Sequence, residues 1–145
     1  MASFVFTNAT KLFGDGDIDW PVDTIRVMLL KSSFTPDQDA DIFVSDVVAD
    51  EIGVAGYARI TLANKFSTKD NANNRTDYGA DNPVWAALAA GETIGWAIVF
   101  KLVTNDADSP VIALLDGTDV PTNGGQVTLR FNSQAGSGPA FRLAA

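Results

Sequence analysis

The chain has 145 residues, of which 46% are hydrophobic, and a net charge of −8. That length fits one domain able to bury a core of its own, and no apolar run approaches the ~18 residues of a membrane span. Neither cysteine nor histidine occurs, which excludes thiol nucleophiles, disulfides, imidazole bases and ordinary zinc sites.

The ten basic residues are scattered from Lys11 to Arg142, so nothing opposes repulsion from a phosphate backbone, and no nucleic acid is expected as partner. Sixteen of the eighteen acids are aspartate. Aspartate favours turns and caps over helix interiors, which points to an all-β chain. The start, MASFVFTNATK, lacks the basic head and long apolar stretch of a signal peptide, so synthesis in the cytoplasm is expected.

In chain order, the first expected strand is 2–7, with Phe4 and Phe6 on one face. A short helix follows over 8–14, with Asn8 as N-cap and Gly14 as stop. The strand 24–31 is apolar on both faces and is expected to be covered on both. A second helical stretch is expected over 39–53, pairing Phe43 with Val47 and stopping at Gly53. Strands are then expected at 57–65, 83–88, 92–103, 110–115, 125–133 and 139–143. The clearest is 92–103: Ile94, Trp96, Ile98, Phe100 and Leu102 share an inward face, and the opposite face is smaller and only partly covered. In 125–133, Val127, Leu129 and Phe131 point inward. The sum is an antiparallel β-sandwich, jelly-roll-like, with one or two short peripheral helices, as a single domain over 1–145.

Candidate chemistry centres on FGDGDIDWPVDTIRV, 13–27, where Asp15, Asp17 and Asp19 alternate. An EF-hand loop counted from Asp15 needs glycine where Trp20 stands and glutamate where Arg26 stands. Counted from Asp37, Ile42 and Val48 fail in the same positions. No metal and no cofactor follow, and the stretch reads as a turn leading into a strand. An irregular calcium site, a sugar-binding platform on Trp20 or Trp85, and a glycosidase using two unmarked carboxylates are the other readings. The GSG at 136–138 is too short for a nucleophile elbow and has no histidine to activate its serine.

Several stretches together resemble a family of small virion proteins of tailed bacteriophages: LFGDGDIDWPVDTIRVMLL (12–30), FTPDQDADIFVSDV (34–47), GYARITLANK (56–65), DNPVWAAL (81–88) and GWAIVFKLV (95–103) running on to SPVIALLD (109–116). Members share a short helix, a Gly-acidic turn, a strand like DTIRVMLL at 23–30 and a loop opening like that at Thr35. The chain departs from the family over 91–110, where members usually carry a Tyr and a KDTG turn. The resemblance implies a non-enzymatic structural protein with no catalytic residues to carry over. It implies first a decoration or cement protein on the capsid exterior, oligomeric and bound to the major capsid protein. A tail, neck or fibre-base component of the same virion is the alternative. For such a role the end segments and exposed aromatics are the expected partner contacts: Phe4, Phe6, Trp20, Trp85, Phe141 and Arg142. Otherwise both end segments close the domain's own sheets.

Overall fold

The computed structural model describes residues 3–131 and 136–144. The strands are β1 (Phe4–Val5), β2 (Ile25–Lys31), β3 (Ile60–Thr61), β4 (Phe66–Asp70), β5 (Arg75–Asp81), β6 (Val84–Trp85), β7 (Thr93–Lys101), β8 (Val111–Pro121), β9 (Val127–Thr128) and β10 (Ser137–Ala144). Helix α1 (Thr7–Asp15) lies between β1 and β2; α2 (Val44–Val47), prolonged by a 3-10 turn at Val48–Asp50, lies between β2 and β3. The strands form a five-stranded sheet of order β1-β8-β7-β2-β3, a three-stranded sheet β10-β5-β4 and a ribbon β6-β9, with antiparallel pairing throughout. The fold is therefore all-β with two short helices, as the composition indicates.

The middle of the large sheet is the centre of the core. Ile25, Val27, Met28, Leu29 and Leu30 of β2 are buried, as are Ala97, Ile98, Val99 and Phe100 of β7 and Val111 to Leu114 of β8. These strands are covered on both faces, which corrects the expectation of a partly covered face on β7. Each fully buried large apolar side chain contributes about 1.5–3 kcal/mol of transfer free energy. The same core takes in Ala80, Phe131 and Phe141 from outside this sheet, so one core joins the two larger sheets.

Helix α1 outruns its expected stop. Gly14 is accommodated within the helix, and Gly16 closes it with a left-handed φ of 82°. The cap position is Phe6, not Asn8, because β1 delivers extended backbone up to that residue. The 39–53 helix shrinks for a different reason. The Asp37 carboxylate accepts N–H bonds from Asp39 and Ala40, and Asp46 accepts them from Ile42 and Phe43. Local aspartate bonds thus outcompete the helix up to Phe43, so Phe43 precedes α2 and does not pair with Val47 on one face.

The hairpin β4–β5 has no counterpart in the sequence reading. Its strand FSTKD is polar and mostly exposed, so it lacks apolar alternation. Its turn lies over 71–74, with Asn74 at φ 50°. Pairing with β10 in register Phe141↔Tyr78 and Arg142↔Asp77 holds it to the domain.

Candidate interaction surface

The alternating aspartates of 13–27 lie in a turn. The Asp23 carboxylate accepts the Asp19 N–H at 2.8 Å and meets Lys101 Nζ at 3.0 Å. Lys101 Nζ also donates to the Asp17 carbonyl, and Lys11 pairs with Asp15. Among the described residues, no three acidic side chains gather as a metal site.

Four of the six expected contact residues lie inside the chain's own core. Phe6, Trp20, Trp85 and Phe141 are each no more than 7% exposed. Trp20 donates its indole N–H to the Gly79 carbonyl, and Trp85 donates to that of Ala58. Phe141 stacks on Tyr78 at 5.1 Å and meets Trp20 edge-on at 5.1 Å. Phe4 is half-buried against Phe6. Both end segments close internal sheets, β1 on β8 and β10 on β5. These four aromatics are therefore corrected from surface contacts to core residues: Phe6 and Phe141 are buried by the sheets their end segments close, and Trp20 and Trp85 by packing with the indole N–H bonded to a backbone carbonyl. Arg142 remains half-exposed, 3.3 Å from Asp77.

Three loops meet at one end of the large sheet, where β2 begins, β7 ends and β8 begins. The first, 16–24, is tied to the second, 102–110, by the Leu102 N–H on the Thr24 carbonyl. The third, 37–46, is tied to the second by Val44 N–H on Ser109 O and Ser45 N–H on Asp106 O. Side chains fix each loop from within: Asp108 accepts the N–H groups of Thr104 and Asn105, and Ser109 Oγ accepts that of Val103. Behind them, Arg59 forks between Glu51 and Asp106 and lies over the Phe100 ring. The Tyr57 hydroxyl donates to Glu51 and accepts the Leu29 N–H.

These bonds set the local ionisation. Arg59 holds the Asp106 carboxyl below the usual range. The backbone N–H groups of Asn105 and Thr104 do the same to Asp108. Burial, with the bond to Glu51, pushes the Tyr57 hydroxyl far above its ordinary value.

This end leaves large apolar side chains in solvent: Val22 is 77% exposed, Val103 52% and Phe43 36%. It is also the acidic end. Residues 15–23 and 37–46 carry four aspartates each and 104–108 two, ten of the chain's eighteen acids. The sequence hides the surface because its apolar members are single residues in three separate loops.

A concavity of about 430 Å³ lies between the far part of β8 and β9–β10, lined by Trp96, Leu115, Thr118, Leu129 and Arg142 among others. Trp96, expected in the core, is half-buried there. Its indole N–H is buried and lacks an acceptor among the described residues. Its register against Leu30 and Asp116 keeps it on the face of Ile98, at the end where that face opens into the concavity.

Among the described residues, no helix is long and apolar enough to cross a membrane. No family model matches the chain, and no curated protein or solved structure matches it.

Proposed function

We propose that the chain is a non-enzymatic structural protein of a bacteriophage virion, a decoration or cement protein that binds the major capsid protein on the outside of the shell. The observation that carries this reading is the pairing of a self-contained fold with a fixed, partly apolar loop end. Both chain ends are committed to internal sheets, and Val22, Phe43 and Val103 stand in solvent on loops held by side-chain bonds. Such a surface suits contact with protein, since little ordering entropy remains to be lost on docking. Many weak contacts of this kind, repeated over a lattice, give high avidity when units are linked as an oligomer. The sequence resemblance to small virion proteins supports the same role. A sugar platform on Trp20 or Trp85 has no exposed indole to use. Sedimentation of purified virions tests the proposal: the chain travels with the particles if it is right, and stays in the soluble fraction if it is wrong.

A further inference from the structure

We infer that the three-loop end of the large sheet docks on a basic protein surface, with Val22, Phe43 and Val103 as its apolar anchors. This inference rests on the virion reading and specifies which face and what partner chemistry serve it. The three residues sit on loops that hydrogen bonds join into one end of the sheet. Val22 lies two residues from Thr24, whose carbonyl holds the Leu102 N–H, and Val103 follows. Val103 N–H is held by Ser109 Oγ, and the Ser109 carbonyl holds Val44, next to Phe43. Exposed apolar groups gathered on rigid loops with a polar rim are the usual make-up of a contact patch.

Charge decides the occupant. The rim is acidic, with ten aspartates on and beside its three loops, so a second copy presenting the same end is repelled, as are phosphate backbones and anionic membrane surfaces. A protein face rich in Lys and Arg is attracted and oriented by the same field. Two of the rim acids, Asp106, paired with Arg59, and Asp108, bonded by backbone N–H groups of its own loop, are held ionised into mild acid.

A photocrosslinking amino acid placed singly at 22, 43, 103 and, as control, 68 tests this in assembled particles. Thr68 is exposed on the outer strand of the three-stranded sheet. Expected are crosslinks from 22, 43 and 103 to one shell protein, through a peptide with more Lys and Arg than Asp and Glu, and none from 68. Val22→Ser and Val103→Ser are each expected to weaken particle binding about tenfold with an unchanged melting midpoint. Asp19→Lys is expected to weaken it further in low salt than in high salt. Crosslinks from 68 alone, or a net-acidic captured peptide, overturn the inference and leave the virion role standing. Absence of the chain from particles overturns both.

Discussion

Arg59 reaches Asp106 across 47 positions of sequence, with Nη1 2.6 Å from Oδ1 and Nη2 3.1 Å from Oδ2. The same guanidinium holds Glu51, so one planar fork fastens the 102–110 loop to the segment leading into β3. Lysine cannot reproduce two bidentate contacts. Arg59→Lys is expected to lower stability by about 1–2 kcal/mol, with the pair discounted for its partial exposure. Urea unfolding measures it, and an unchanged midpoint contradicts the clamp.

Acid acts on the same loop. The Asp106 carboxyl is held low by Arg59 and that of Asp108 by backbone N–H groups. An acid whose folded pKa lies below its unfolded value, about 3.9, contributes in full above that value and loses the contribution as pH falls through the folded one. Asp41, raised mainly by burial, works in the opposite sense. The urea midpoint is therefore expected to lose the Asp106 and Asp108 contributions below about pH 4. In Asp108→Asn that loss is expected to be smaller, so equal acid slopes in the two proteins contradict the assignment.

Several glycines mark close backbone approaches, two of them against a carbonyl oxygen. A Cβ on Gly56, at φ 89°, would lie 2.1 Å from the Ala87 carbonyl oxygen. A Cβ on Gly79 would lie 2.3 Å from that of Gly138. The second approach seats β10 on β5 and leaves the Gly79 carbonyl for Trp20. Gly79→Ala is expected to cost about 3 kcal/mol or more. Gly14→Ala, with open space around its Cβ, is expected to stabilise by about 0.5–1 kcal/mol. Thermal melts of the two variants check the contrast.

The three tryptophans should rank by their indole partners. Trp20→Phe and Trp85→Phe each lose packing volume and a hydrogen bond, together about 2–3 kcal/mol. Trp96→Phe removes a buried donor that has no acceptor among the described residues, and is expected to cost under about 1 kcal/mol. A larger loss at 96 than at 20 contradicts this ordering.

The sequence made the apolar strands legible and hid the polar ones. β2, β7 and the start of β8 announce themselves because burial on a pleated sheet forces runs of large apolar side chains. The β4–β5 hairpin is silent, since exposed strands carry Ser, Thr and Lys as loops do. The second helix is shorter than its pattern: the helical spacing of Phe43 and Val47 loses to aspartates that bond the backbone locally. Trp20 reads as a contact because it sits near a strand edge and Phe141 because it lies in an end segment, yet the aromatic cluster with Tyr78 needs β5, which the pattern does not reveal. The loop end is invisible in one dimension, because the bonds that assemble it, such as Ser45 N–H to Asp106 O, join residues far apart in sequence.

The most direct test of a role on the shell is copy number, read from a stained gel of purified virions with the major capsid protein as standard. A decoration protein predicts a band comparable in molar amount to the shell protein. A handful of copies per particle, or none, contradicts it.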